Sequence, residues 1–139
     1  MTQEKLSSII SYDDDLTNAE RPAPLPTGVY VGEIVSTEQK QGAKTTYVDV
    51  GFSISADQYP VDYTEGNPDG TIIHYLRVPT GKTPQQKYRM RKFIEAIGAP
   101  LGATVDIAEW AGLTAKVTVV HEEWEGEMNA KISKVESNN

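Results

Sequence analysis

Three features of the sequence predict an all-β domain with a single helix. Five short segments are rich in β-branched residues and alternate between apolar and polar positions, which is typical of half-buried strands. One segment, residues 84–97, repeats its apolar residues at helical spacing instead. It falls between the third and fourth strand-like segments, so the order is β-β-β-α-β-β. This order is the layout of the OB-fold, a five-stranded Greek-key barrel.

The first two strands are predicted at "GVYVGEIVSTE" and "TTYVDVGFSIS", joined by the turn "KQGAK". Gly32 lies in the middle of the first strand and predicts a bulge or bend there. The loop "ADQYPVDYTEGNPDG" follows the second strand and ends in a turn at 67–70. Alternate residues of the second strand share an apolar face that we expect to line the core: Val48, Val50, Phe52 and Ile54.

The third strand is predicted at "TIIHYLRV". Strict alternation divides its residues between the two faces of the sheet. The inward set is Ile72, His74, Leu76 and Val78, and the outward set is Ile73, Tyr75 and Arg77.

The letters Gly81-Lys82-Thr83 resemble the end of a phosphate-binding loop, but the rest of that motif is missing. The motif needs a second glycine five residues earlier, where this sequence has Leu76. Pro79 also removes one of the N–H donors that such a loop uses. We therefore interpret the segment as the start of a helix, with Thr83 as N-cap and Pro84 at the first helical position.

The helix that follows has one apolar stripe, and Gly98 is placed to end it. The stripe consists of Met90, Phe93, Ile94 and Ile97. After a connector that contains Ile107 and Trp110, the last two strands are predicted at "LTAKVTVVHEE" and "EMNAKISKV", with Glu125-Gly126 as the tip of their hairpin. Their inward residues are Ala115, Val117 and Val119, then Met128, Ala130 and Ile132.

Composition divides the chain into an arm, a domain and a tail. Residues 1–27 are predicted to be an acidic and proline-rich N-terminal arm that is flexible or only loosely docked, because "RPAPLPTG" favours an extended connector. Within this arm, Leu6, Ile9 and Ile10 suggest a short helical turn. Residues 28–136 are predicted to form the OB-fold domain, and 137–139 a short tail.

The bulk composition excludes several classes of protein. The chain has no cysteine, which excludes a disulfide framework and thiolate zinc sites and fits a reducing cytoplasm. It has neither an apolar run of about 18 residues nor the layout of a signal peptide, so we expect no membrane partner. The net charge of −7 argues against a protein that coats nucleic acid with its whole surface.

Residues that could perform catalysis are few. The only histidines are His74 and His121, and a lone histidine on an apolar face is usually a satisfied core group. No nucleophile-elbow motif is present, and the acids of the 57–69 loop do not match a calcium loop. We expect no enzymatic activity, no catalytic residue, no metal site and no cofactor.

The cations, in contrast, are concentrated in one segment. Residues 77–94 contain no acid, although acids dominate the chain as a whole. The cations of this segment are Arg77, Lys82, Lys87, Arg89, Arg91 and Lys92. Those on the helix either steer a bound strand or balance acids elsewhere, and the sequence leaves both alternatives open.

Side chains suited to single-stranded nucleic acid fall on the predicted binding face of the barrel. Tyr47, Tyr75 and Arg77 are predicted to point outward together from neighbouring strands, so that bases can stack on the rings. The loop between the first two strands adds Lys40 and Lys44, and the last hairpin adds Trp124. The alternative for each tyrosine is a ring half-covered by a cross-strand neighbour. Four glutamates surround Trp124 in sequence and would repel a phosphate chain, which favours a role in capping the barrel or in meeting a protein partner: Glu122, Glu123, Glu125 and Glu127.

The sequence resembles a group of small phage-encoded OB-fold proteins of replication and recombination gene clusters, regarded as single-stranded-DNA-binding proteins. The resemblance covers residues 24–136 and is strongest in "PLPTGVYVGEI", "YVDVGFSI" and the segment from Asp106 to Val135. The matching positions are Pro26, Gly28 and Tyr30; the 84–97 helix; Asp106, Ile107, Trp110 and Gly112; and Asn129, Ile132 and Val135. It implies single-stranded DNA as ligand, replication or recombination proteins as further partners, and the host cytoplasm as location.

Two functions from different classes follow. The first is sequence-tolerant binding of single-stranded DNA, with bases stacked on tyrosines and phosphates held by lysine and arginine. The predicted binding residues are Tyr47, Tyr75, Arg77, Lys40, Lys44, Lys82, Lys87, Arg89, Arg91 and Trp124. The alternative is a protein-interaction module whose acidic loops target a nucleic-acid-processing enzyme.

Overall fold

Five antiparallel strands and one helix appear in a computed structural model that describes residues 6–138. The strands are β1 (Gly28–Gln41), β2 (Thr46–Ile54), β3 (Thr71–Pro79), β4 (Thr114–Trp124) and β5 (Glu127–Glu136), and the helix α1 is Pro84–Ile97. Short 3₁₀ turns lie at Leu16–Asn18, Ala56–Gln58 and Ile107–Trp110. None of the described helices is long and apolar enough to cross a membrane.

The strands form one sheet in the order β3-β2-β1-β4-β5. Its two edge strands, β3 and β5, contact each other, and α1 packs against both of them. The sheet therefore curls into a barrel-like form with the helix across it. The predicted class, all-β with one helix between the third and fourth strands, is confirmed, while the assignment to the OB-fold stays an interpretation of this order.

The core is built from the apolar faces that the alternation predicts for β2, β4 and α1. The inward residues of β2 and β4 are all buried, and Phe93, Ile94 and Ile97 bury the stripe of α1. Phe93 joins the layers: its ring centroid lies 6.5 Å from that of Phe52 and 5.4 Å from that of Trp110. At the predicted start of the helix, Thr83 accepts a hydrogen bond from the Gln86 N–H, and Gly98 ends the helix in the left-handed conformation at φ 76°.

The predicted faces of β3 are partly wrong, because a β-bulge interrupts its alternation. Val78 pairs with Val48 and Tyr75 pairs with Val50, so two residues of β3 lie opposite Asp49 alone. Such an extra residue reverses the inward and outward positions on one side of the bulge. Val78 points inward and Arg77 outward as predicted. The reversed residues are Ile73 and Tyr75, which turn toward the core, and Ile72, His74 and Leu76, which are exposed.

Two smaller predictions about the strands also need correction. The bulge of β1 lies between Ile34 and Ser36, not at Gly32. At Gly32 a Cβ would lie 3.0 Å from the Phe52 ring, so the ring would have to shift to accommodate a larger residue there. In β5, Ile132 is buried as predicted, but Met128 is exposed because it stands beside the hairpin tip, beyond the end of the core. That tip is Glu125-Gly126, as predicted, with φ 50° and 80°.

The end of the N-terminal arm contacts the barrel. Leu25 is only 1% exposed, and its carbonyl oxygen accepts a hydrogen bond from His121 Nε2 at 2.8 Å. Arg21 binds the β4–β5 hairpin through Glu127 at 3.0 Å and the Met128 carbonyl at 3.2 Å. Residues 21–27 are therefore packed, in contrast to the loosely docked arm that their prolines suggest. Residues 6–20 are exposed. Within these described residues, the helical turn predicted at 6–10 is absent, and a 3₁₀ turn lies at Leu16–Asn18 instead.

Candidate nucleic-acid interface

The loop between β1 and β2 forms one wall of an open groove of about 380 Å³. Its turn is closed by a hydrogen bond from the Gly42 N–H to the Thr45 carbonyl, at 2.9 Å. The Tyr47 ring packs over Gly42, where a Cβ would lie 3.3 Å from the ring. We call this cavity the loop groove; its lining includes Lys44, Tyr47, Leu76, Arg77 and Arg89. Four of the predicted binding residues, Lys44, Tyr47, Arg77 and Arg89, thus meet in one place.

Arg77 and Arg89 come from different elements and are tied together. Arg77 is the outward residue of the β3 bulge, and Arg89 projects from the second turn of α1. The Arg89 Nη2 group donates a hydrogen bond to the Arg77 carbonyl oxygen at 3.1 Å. This bond fixes the Arg89 guanidinium at the edge of β3 while leaving its other N–H donors for a ligand.

Tyr75 lies in a second cavity, on the other side of this arginine pair. The bulge turns its ring toward α1, where it stacks on Phe93 with centroids 5.7 Å apart and planes 15° apart. We call this cavity the helix cleft; it measures about 680 Å³ and its lining includes Tyr75, Arg77, Tyr88, Arg89, Lys92 and Lys134. The prediction that Tyr47, Tyr75 and Arg77 share one outer face is therefore wrong for Tyr75. The three residues lie instead in two neighbouring cavities joined at Arg77 and Arg89.

Lys40 is engaged by a carboxylate on the outer face of β2. Asp49 is 6% exposed, with Lys40 Nζ at 2.9 Å from one of its oxygens and His74 Nδ1 at 2.6 Å from the other. Burial raises the pKa of Asp49, but the hydrogen bonds from Lys40 and His74 outweigh burial and hold that pKa below its ordinary value. The same hydrogen bond and charge raise the pKa of Lys40. His74, predicted to point into the core, is therefore a surface partner of Asp49.

The other predicted binding residues lie apart from the loop groove. Lys87 and Arg91 line a separate, mainly apolar cavity between α1 and the 101–107 connector. Arg91 is also paired with Glu95 at 3.0 Å, one helical turn away. Trp124 is 68% exposed on the β4–β5 hairpin. Lys82 is exposed in the connector before α1.

The pairing of the cations separates two groups of side chains. Ion pairs occupy Arg21, Lys40, Arg91, Lys131 and Lys134. Among the residues that the structure describes, no carboxylate pairs with Lys44, Arg77, Lys82, Lys87, Arg89, Lys92 or Lys116. All of this second group except Lys116 lie in the 42–45 loop or in residues 77–92, although acids outnumber cations by 20 to 13 in the chain.

Tyr88 and Lys92 are the residues of this surface that the predicted binding set omits. They stand one helical turn apart on α1 and line the helix cleft together, with Tyr88 59% exposed. The sequence places both opposite the apolar stripe of the helix, together with Arg91 and Glu95. It does not indicate which flank of α1 faces β3 and β5 and which faces the connector, so the grouping of Tyr88 with Lys92 needed the packed structure.

The β4–β5 hairpin is acidic and carries exposed apolar side chains. Two of its four glutamates are paired, Glu122 with Lys131 at 3.3 Å and Glu127 with Arg21 at 3.0 Å. No ion pair within the described residues involves Glu123 or Glu125. These two flank the exposed Trp124, so the tip of the hairpin repels phosphates.

No protein-family model and no curated protein matches this sequence. The resemblance to phage single-stranded-DNA-binding proteins therefore stays a prediction.

Proposed function

We propose that the protein binds single-stranded DNA with little sequence preference, as expected of a protein that serves phage replication or recombination. The observation that carries this proposal is the loop groove, which Lys44, Arg77 and Arg89 line together with Tyr47, with no carboxylate paired to these cations in the described chain. Cations held close together without acids favour an anionic ligand, because each phosphate bound there relieves their mutual repulsion and releases condensed counterions.

The tyrosine favours a single strand over a duplex. In a duplex the faces of the bases are stacked on one another, whereas the bases of a single strand can stack on a protein ring. Stacking on an aromatic side chain contributes about 1–3 kcal/mol per base and is tolerant of sequence. Tyr47 at the wall of a cationic groove supplies such a ring.

Binding of labelled oligo-dT, followed by fluorescence anisotropy at rising salt, tests this proposal. Each phosphate contact to a single strand contributes about 0.7 to the slope of log affinity against log salt. We expect Lys44→Ala to weaken binding and to reduce that slope by about one such contact. Lys116→Ala is the matched control, because Lys116 is also exposed and unpaired but lies on β4. Absence of binding at low salt, indifference to salt, or an equal loss in both variants would contradict the proposal.

A protein partner is the second candidate function, and the β4–β5 hairpin favours it. Trp124 and Met128 are exposed there beside glutamates, and exposed aromatic side chains are enriched at protein interfaces. In this role the acidic hairpin docks on a basic surface of a nucleic-acid-processing enzyme. A pull-down that retains such an enzyme with the wild-type protein and loses it with Trp124→Ala supports this role; equal retention by both contradicts it.

A further inference from the structure

The helix cleft is the second half of a continuous cationic surface. It lies between α1, the inner side of β3 and the end of β5, and it shares Arg77 and Arg89 with the loop groove. The hydrogen bond from the Arg89 side chain to the Arg77 backbone carbonyl holds the Arg89 guanidinium at the boundary between the two cavities, beside Arg77. A ligand that reaches this pair from the loop groove can therefore contact the helix cleft without leaving the cations.

The acids that line the helix cleft are already engaged. Glu95 is paired with Arg91 at 3.0 Å, and Glu136 lies 3.5 Å from Lys134. Lys92 has no carboxylate partner in the described part of the chain, and neither have the two shared arginines. The cleft thus keeps an excess of positive charge despite its two glutamates.

The cleft also presents two rings. Phe93 stacks on one face of the Tyr75 ring, so a ligand contacts this ring from the side of the cleft. Tyr88 lies on the turn of α1 that precedes Phe93 and is largely exposed. Rings beside unpaired cations form the combination that binds the bases and phosphates of a single strand.

The straight path across the outer face of β2 and β3 is less favourable for a polyanion. Beyond Tyr47 it meets Lys40 and His74, which are already bonded to Asp49. At the far end of β3, Ile72 and His74 line a cavity together with residues from the start of β5. This part of β5 leads to the glutamate-rich hairpin. A phosphate chain on this path would therefore meet cations that are already paired, and after them the acids of the hairpin.

On the basis of the proposed function, we propose that the bound single strand turns at Arg77 and Arg89. From the loop groove it continues into the helix cleft, where Tyr75 and Tyr88 stack bases and Lys92 binds a phosphate. The helix thereby extends the binding site around the edge of β3.

The test compares two double variants over a series of oligo-dT lengths, from about 4 to about 16 nucleotides, the range of site sizes for such domains. Tyr88→Ala with Lys92→Ala removes a ring and a cation from the helix cleft. Tyr12→Ala with Lys116→Ala removes an exposed ring from the arm and an unpaired cation from β4, and is the control. All four positions are exposed, so thermal unfolding should show both variants folded.

We expect the cleft variant to bind the shortest oligonucleotides as the wild type does and to lose at least about tenfold affinity for the longest. Its salt slope on long oligonucleotides should fall by about 0.7, the share of one phosphate contact to a single strand. The control should match the wild type at every length. Unchanged binding of long oligonucleotides by the cleft variant overturns the proposal, and so does an equal loss at all lengths. Failure of the wild type to bind any of them overturns the proposed function as well, which is a distinguishable result.

Discussion

Asp49 sits on the outer face of β2 and is nevertheless buried, since Lys40 and His74 cover its two oxygens. A carboxylate removed from water is stable only when its oxygens accept hydrogen bonds, and here both do. The cost is that Lys40, at the end of β1, is occupied, whereas Lys44 in the adjoining loop is unpaired. The sequence predicts Lys40 as a phosphate ligand because it does not show the pairing of Lys40 with Asp49. In the sequence, Asp49 is an ordinary outward residue of a half-buried strand.

Replacing Asp49 by asparagine should destabilise the protein in a pH-dependent way. The folded pKa of Asp49 lies below the ordinary aspartate value of 3.8, so its stabilisation is fully present above that value and is lost as the pH falls through the folded pKa. We expect Asp49→Asn to lower the free energy of unfolding by about 1.5–3 kcal/mol at neutral pH, as for hydrogen bonds to a charged group. Urea unfolding at a series of pH values should show this difference narrowing below about pH 4.

The control for this variant is Asp62→Asn, at an exposed position of the 57–69 loop. It should change the free energy of unfolding little at any pH, as is usual for exposed charges. If the difference in free energy of unfolding between Asp49→Asn and the wild type stays constant down to pH 3, the charge of the carboxylate contributes nothing to stability.

At the scale of elements, α1 was the most predictable part of the chain and β3 the least. The helix start, its apolar stripe and its end at Gly98 all follow from local chemistry. The faces of β3 depend on its register with β2, where the bulge places two residues opposite Asp49. Nothing local to "TIIHYLRV" indicates that register, so alternation gave the wrong face for Tyr75.

The N-cap of α1 gives a prediction at this scale. Thr83→Ala removes the side-chain oxygen that accepts the Gln86 N–H, which leaves a donor of the first turn without that partner. We expect the free energy of unfolding to fall by about 1 kcal/mol. Thr83→Ser keeps the hydroxyl and should stay close to the wild type in the same urea experiment. An alanine variant as stable as the serine variant would show that the cap does not stabilise the helix.

At the scale of the whole molecule, the barrel includes more of the N-terminal arm than composition suggests. The prolines of "RPAPLPTG" indicate an extended segment, and no helix or strand forms at 21–27, but Leu25 between the prolines enters the core. Sequence reasoning had no signal for this, because a single leucine among prolines shows no periodicity. The contacts of Arg21 and the carbonyl of Leu25 with β4 and β5 support the same docking.

Docking of the arm predicts unequal effects for two leucines. Leu25→Ala should lower the free energy of unfolding by about 2–5 kcal/mol, the usual cost of emptying a buried leucine site. Leu16→Ala, at a position that is 60% exposed, should have almost no effect. Urea unfolding of the two variants measures both values. Equal stability of the two would mean that residues 21–27 do not pack on the barrel in solution.

The proposed binding surface was predictable in composition but not in arrangement. The cluster of cations at 77–92 is visible in the sequence, and so is the absence of acids among them. The pairing of Lys40 with Asp49, and the flank of α1 that faces β3, depend on long-range packing, whereas the Arg91–Glu95 pair is local to the helix. The sequence therefore predicts an anionic ligand, whereas the structure separates Arg91 and Lys40, which are paired with acids, from Lys44, Arg77, Arg89 and Lys92.

Mapping of backbone amide shifts on addition of oligo-dT tests the central claim most directly, since one titration reports both binding and its location. We expect salt-sensitive shifts in residues 42–47, 75–77 and 88–92, which border the two cavities that meet at Arg77 and Arg89. The hairpin residues 122–127 should remain unchanged. Shifts confined to that hairpin, or no shifts at low salt, would contradict the claim that these unpaired cations form a site for single-stranded DNA.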